Sequence, residues 1–180
     1  PDIIMIGEIR DGETAEIAVE SALTGHQVLS TMHCNDAAGA VTRLDDMGIA
    51  PFLISSSVIL ACAQRLMRRV CPACKEPYIP LPEVFQQVGV KPEDFKASQL
   101  VRGTGCDRCR NTGYSGRCAI IEAMTVSDEI RKLIIKREPA SEIAKVAIEQ
   151  GMQTLRQVAI SKAAEGISTF EQVTEVTAAH

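Results

Sequence analysis

Tryptophan is absent from these 180 residues, and two tyrosines and four phenylalanines supply all the aromatic rings. So few rings leave little for base stacking, and a formal net charge of −4 also argues against a chain built to bind nucleic acid. No uninterrupted apolar run approaches the roughly 18 residues that a membrane-spanning helix needs. No signal peptide is visible, so nothing points to the oxidising compartment that disulfides require. Also missing is a Gly-rich loop ending in Gly-Lys-Ser/Thr, the backbone cradle in which many nucleotide hydrolases hold phosphates. The chain opens on Pro1 rather than Met and is expected to be a fragment.

What is present is aliphatic. Ala, Ile and Val supply the core, which suits helices packed on a sheet, and the length allows one domain or one plus a small insert. Charge is uneven along the chain. Residues 1–64 carry 2 basic and 9 acidic side chains, residues 65–118 carry 10 and 5, and residues 119–180 carry 7 and 9. The basic middle segment also holds five of the seven cysteines. It suits an acidic partner surface or anionic lipid headgroups, or it is a solvated surface bias with no partner.

Residues 3–6 form a short apolar run, read as a strand buried on both faces as in a parallel sheet. Glu8 follows at once. Open α/β sheets bind ligands beyond the carboxyl ends of their strands, so Glu8 stands where such a sheet does chemistry. A helix is expected over 12–23, a second strand over 27–32, and a helix capped by Asn35 or Asp36 ending near Met47. Pro51 starts another helix. The run 52–62 is apolar nearly all round, which predicts a deeply buried helix. Strands are expected over 64–70 and 119–124. Helices starting at Ser127, Ser141, Thr154 and Ser168 or Thr169 form a tail.

Cys71-Pro72-Ala73-Cys74 and Cys106-Asp107-Arg108-Cys109 are two Cys-x-x-Cys pairs separated by 31 residues. Each pair can turn two thiolates onto one ion, and two pairs complete a closed tetrahedral site of the kind that holds structural zinc. Such a site has no open position, so its metal stabilises a lobe rather than catalysing. Disulfides would need an oxidising compartment, and a redox dithiol would explain one pair and not two. Cys34, Cys62 and Cys118 read as plain buried thiols.

His26 precedes the second strand and His33 follows it. If the first two strands run parallel, His33 leaves the sheet on the side of Glu8, where an imidazole can donate to a terminal phosphate. The same residues also read as ordinary polar groups at strand ends, with Glu8 capping the next helix.

The motifs together resemble a known family. DIIMIGEIRD over 2–11, followed by Glu13-Thr14-Ala15, resembles the Walker B segment of the secretion ATPases, the hexameric motors of type II secretion and type IV pilus assembly. TGHQVLSTMH over 24–33 resembles their His box. ACAQRL over 61–66, then Arg68-Arg69 and the first cysteine pair, resembles the approach to their tetracysteine lobe, and 105–117 resembles its second half. The resemblance covers nearly the whole chain. It implies the C-terminal part of a RecA-like P-loop ATPase domain, an α/β fold, with an inserted four-cysteine zinc lobe and a helical C-terminal tail. The divisions are 1–70, 71–117 and 118–180.

It further implies that Glu8 orders a magnesium ion and its waters, that His33 and also His26 lie near the γ-phosphate of ATP, and that Cys71, Cys74, Cys106 and Cys109 hold zinc. Arg10 and Asp11 lie within the motif without an assigned role. The phosphate loop, the aspartate box and the arginine fingers of the family have no counterpart in these residues, so the chain alone is expected to be inactive. The full-length protein is expected to be a cytoplasmic homo-hexamer peripheral to the inner membrane. It would drive a platform protein, with Arg68, Arg69 and Arg110 as candidate contacts to that partner or to an anionic membrane. The tetracysteine motif is typical of secretion and pilus-extension motors. Two other readings stay open: a non-enzymatic zinc-organised interaction module, and a zinc-ribbon nucleic-acid binder using Tyr78, Phe85, Phe95 and Tyr114.

Overall fold

A computed structural model describes residues 1–95 and 99–178; residues 96–98 of the expected lobe and 179–180 of the expected tail lie outside the described residues. The described chain is mixed α/β and falls into two compact units. Unit 1 comprises Pro1–Ala63 and Glu122–Met152, and unit 2 comprises Gln64–Ile121 and Gln153–His180. The units follow contacts rather than chain order, so the tail expected as one region is shared between them.

In unit 1, β1 (Ile3–Ile6) pairs in parallel with β2 (Gln27–Ser30), with Ile3 opposite Gln27 and Ile6 opposite Ser30. Between them runs α1 (Gly12–Leu23), whose N-cap Asp11 accepts from the Thr14 N–H at 2.9 Å, as a short carboxylate before a helix should. Asp36 caps α2 (Ala37–Asp46) in the same way. The inward faces of these helices, with Ile6 and Val28 of the strands, join one hydrophobic cluster with α5 (Asp128–Ile135) and α6 (Ala140–Glu149).

β1 is not buried on both faces. Its sheet has two strands and its helices cover one side, so Ile3 and Met5 stand 63 % and 76 % exposed on the other. The buried helix expected over 52–62 is also corrected. Helix α3 (Pro51–Ser57) ends early and β3 (Leu60–Val70) takes over. Ser55, Ser56 and Ser57 turn their hydroxyls back onto the carbonyls of Phe52 and Leu53. The β-branched Val58 and Ile59 then favour extended backbone. An apolar run without periodicity fitted either element, and Phe52 and Leu60 are in fact exposed. β3 pairs with β6 (Tyr114–Thr125), which starts inside the segment expected to be the lobe.

In unit 2, β4 (Lys75–Pro77) pairs antiparallel with β5 (Val101–Gly103). Two further helices, α4 (Pro82–Val88) and α7 (Leu155–Ala164), precede α8 (Phe170–Thr177). Phe170 is its central core residue, meeting Phe85 and Phe95 edge to face at ring-centroid distances of 5.5 and 5.1 Å. No helix of the described residues is long and apolar enough to cross a membrane.

Candidate functional site

The parallel register sends the loops after β1 and β2 out at the same end of the sheet. Thr31 clips them together: its hydroxyl donates to the Gly7 carbonyl at 2.7 Å, and its carbonyl accepts from the Ile9 N–H at 2.9 Å. Glu8, between those two anchors, meets His33. The distance from Glu8 Oε1 to His33 Nε2 is 2.5 Å. Glu8 Oε2 is approached by Arg10 Nε and Nη2, both at 2.5 Å. The Arg10 hydrogen bond outweighs desolvation, and with the charges of Arg10 and His33 it holds the Glu8 carboxyl below the usual glutamate range. A polar groove of about 420 Å³ continues from His33 past Asp36, Thr42 and Arg43.

The other sequence-predicted residues fare differently. His26 sits at the opposite end of β2, where Nδ1 lies 3.1 Å from the Ser21 carbonyl and 3.2 Å from Thr24 Oγ1, so the structure does not bring it to Glu8. Asp11 is occupied as the cap of α1, and the Thr14 N–H holds its carboxyl low. Arg10 emerges as the direct partner of Glu8. Neither that role nor the Thr31 clip has a sequence signal apart from proximity to the motif.

In unit 2, the four predicted cysteines converge. Their sulfurs all lie within 4.8 Å of one another, with Cys71–Cys106 at 3.9 Å, Cys74–Cys109 at 3.9 Å and Cys106–Cys109 at 3.7 Å. Four sulfurs about 2.3 Å from one zinc ion at tetrahedral angles would be about 3.8 Å apart, so the spacing fits that ion. None of the cysteines is in a disulfide.

The backbone builds this cluster. Cys109 Sγ accepts N–H bonds from Cys106 at 3.2 Å and Gly113 at 3.3 Å. Burial works against the Cys109 thiolate, but these donors and the neighbouring sulfurs win and lower the thiol to about 6. Burial instead pushes the Cys74 thiol up to about 11. The turn needs left-handed residues at Arg110, Asn111 and Gly113, and the Cys71 N–H bonds the Gly113 carbonyl at 2.9 Å. The remaining cysteines stand apart, and Cys62 is exposed rather than buried because it points to the outer side of β3.

Arg68 is not a free contact residue. Its guanidinium bonds Glu175 at 2.7 Å and Gln172 at 3.2 Å and lies 4.7 Å over the Tyr114 ring. Arg69 and Arg110 are exposed. The four aromatics considered for base stacking are engaged within unit 2. Phe85 and Phe95 pack on Phe170, Tyr78 bonds Glu171, and Tyr114 Oη lies 3.0 Å from Thr169 Oγ1.

Unit 1 is thus an α/β unit with a carboxylate and an imidazole meeting beyond two parallel strands, and unit 2 of the same chain carries a four-cysteine cluster. The fold matches the pilus retraction motor PilT solved with ADP, at a TM-score of 0.66 and 23 % identity over 99 % of this chain and 40 % of that one. It also matches the Legionella pneumophila ATPase DotB, at a TM-score of 0.64 and 22 % identity over 99 % of this chain and 39 % of that one. The chain belongs to the type II/IV secretion system protein family, which matches residues 1–175. It is 51 % identical over 173 residues to the type IV pilus assembly ATPase PilB of Thermus thermophilus, covering 96 % of this chain and 20 % of that protein. It is 48 % identical over 177 residues to the type II secretion system protein E of Pseudomonas aeruginosa, covering 98 % and 35 %. The chain thus spans between 20 % and 35 % of the length of these curated relatives.

Proposed function

We propose that this chain is the C-terminal portion of a hexameric motor subunit that hydrolyses ATP to drive type II secretion or type IV pilus assembly. Its divisions would be a partial RecA-like core over 1–70, a zinc lobe over 71–117 and a return strand with helical tail over 118–180. The observation that carries the reading is the meeting of Glu8 and His33 at one sheet end. Glu8 Oε1 lies 2.5 Å from His33 Nε2 and Arg10 holds Oε2, so one carboxylate and one imidazole stand together at the strand ends where an α/β sheet binds its ligand. Magnesium bound with ATP would supply charge neutralisation on the phosphates. Glu8 would then accept from waters of that ion and His33 would turn a ring N–H toward the terminal phosphate, while Arg10 keeps the Glu8 carboxylate charged.

Holding the phosphates themselves calls for an amide nest and a lysine that these residues do not include, so the chain alone does not turn over ATP. Cys71, Cys74, Cys106 and Cys109 hold structural zinc, supported by their sulfur spacing. The motor works from the cytoplasmic face of the inner membrane, against a platform protein, with the basic surface of unit 2 facing that side.

ATP turnover by the full-length protein tests the reading. Glu8→Gln is expected to lower kcat by about a hundredfold or more and His33→Ala by about tenfold. Wild-type rates in both variants would overturn it. The zinc-module reading without catalysis predicts no ATP turnover in the wild type or in either variant.

A further inference from the structure

The loop that carries His33 is anchored at both ends. At its start, Thr31 is clipped to Gly7 and Ile9 on either side of Glu8. At its end, α2 begins with Ala37, a fully buried residue whose N–H has no carbonyl partner within the helix. That N–H donates to Glu122 Oε1 at 2.9 Å, across 85 positions of sequence. Asp36 accepts from another first-turn donor, the Gly39 N–H, at 2.7 Å. His33 therefore lies on a short span between two fixed points, one of them a side chain from β6.

Glu122 is out of place in its strand. β6 alternates inward and outward, and the inward neighbours Ile120 and Met124 are fully buried. Glu122 shares their side, with 5 % of its surface exposed. Burying a carboxyl is costly unless its oxygens are hydrogen-bonded, and Glu122 Oε1 is engaged by the Ala37 N–H. That bond fixes where α2 starts.

We propose that Glu122 is a positioning residue for the Glu8–His33 site, fixing through the Ala37 N–H the helix start from which the His33 loop departs. This rests on the reading of that site as the hydrolytic edge. A displacement of about 1 Å in a catalytic group costs up to a hundredfold in rate, so a remote anchor can govern kcat without touching substrate.

The test uses the full-length protein with Glu122→Leu, Glu122→Gln and His33→Ala, singly and with Glu122→Leu combined with His33→Ala. Glu122→Leu leaves the Ala37 N–H without this acceptor, so it is expected to melt several degrees lower and, at a temperature where it is fully folded, to lower kcat about tenfold with KM for ATP within about twofold. Glu122→Gln keeps an acceptor oxygen and recovers most of the rate. In the His33→Ala background, Glu122→Leu adds no further loss, because the residue it positions is gone. A wild-type kcat in Glu122→Leu, or the same loss with and without His33, overturns the inference while leaving the site reading intact. A wild-type rate in His33→Ala overturns both. Should Glu122→Leu fail to fold, Glu122→Asp, which withdraws the carboxyl by one methylene, replaces it with the same expected dependence on His33.

Discussion

The two sites are built in opposite ways. In unit 1, Glu8, Arg10 and His33 project from loop ends and meet through side chains. Arg10 and His33 remain 75 % and 89 % exposed at their side chains. In unit 2, the cysteine sulfurs are placed by backbone amides and left-handed turns, and Cys71 and Cys109 are buried. Charge separates the units as well: unit 1 carries 7 basic and 15 acidic residues, and unit 2 carries 12 and 8. A ligand that comes and goes needs groups at an open edge that can change partners. An ion that stays can have its ligands set by the main chain, and its binding is then inseparable from folding.

Metal removal breaks this comparison most strongly. Structural zinc contributes on the order of 10 kcal/mol of apparent folding free energy in small domains. Chelation is therefore expected to unfold the surroundings of the cysteines. The tail of unit 2 goes with them, since Ser168 Oγ donates to the Arg68 carbonyl at 2.6 Å and Val70 N–H to the Ile167 carbonyl at 2.9 Å, just before Cys71. Hydrogen exchange should show protection lost across 64–121 and 153–178, while α1, α2 and α5 keep theirs. Equal loss throughout both units, or loss confined to 71–113, contradicts that division.

A single methyl group should have the next largest effect. A Cβ on Gly113 would lie 2.5 Å from the Gly103 carbonyl oxygen, at a residue whose φ is +75°. Gly116 has almost the same φ, +79°, and open space around it. Gly116→Ala therefore measures left-handed strain alone, about 1–2 kcal/mol. Gly113→Ala adds a backbone clash beside the Cys109 ligand and should cost about 3 kcal/mol or more. Competition with a chromophoric chelator is expected to show zinc affinity lowered at least tenfold for Gly113→Ala and little changed for Gly116→Ala. Equal affinities would mean that the turn is not what places the sulfurs.

The same contrast explains what could be read in advance. The cysteine cluster was legible because its spacing is local: two Cys-x-x-Cys turns dictate their own geometry wherever they fold. The caps Asp36, Ser127 and Thr154 were legible for the same reason. Glu8 and His33 were legible through parallel pairing, which puts the two strand ends side by side. Glu122 was not picked out, although a carboxyl at an inward position between Ile120 and Met124 is a visible anomaly; its partner lies 85 residues away. The helix misread over 52–62 failed because an apolar run without periodicity fits a helix and a strand equally. The exposed Ile3 and Met5 show that an apolar run predicts a wish for burial and not the layer that supplies it.

The charge difference between the units carries the smallest expected effect. Arg68 must be kept, because it ties β3 to Gln172 and Glu175, and its reversal would report unfolding instead of binding. Arg69 and Arg110 are exposed and carry no such network in the described residues. Each basic residue near an anionic bilayer contributes about 1 kcal/mol, so reversing both in the full-length protein should lower partition onto phosphatidylglycerol vesicles by at least tenfold. The wild-type partition should itself weaken as salt rises, since the attraction is screened beyond about 10 Å at 0.1 M. ATP turnover in solution should not change, because neither side chain belongs to the Glu8 edge. Partition that is unaffected by both the reversals and the salt would show that the positive face of unit 2 is a solvated surface, and would leave the platform protein to be recognised by other residues.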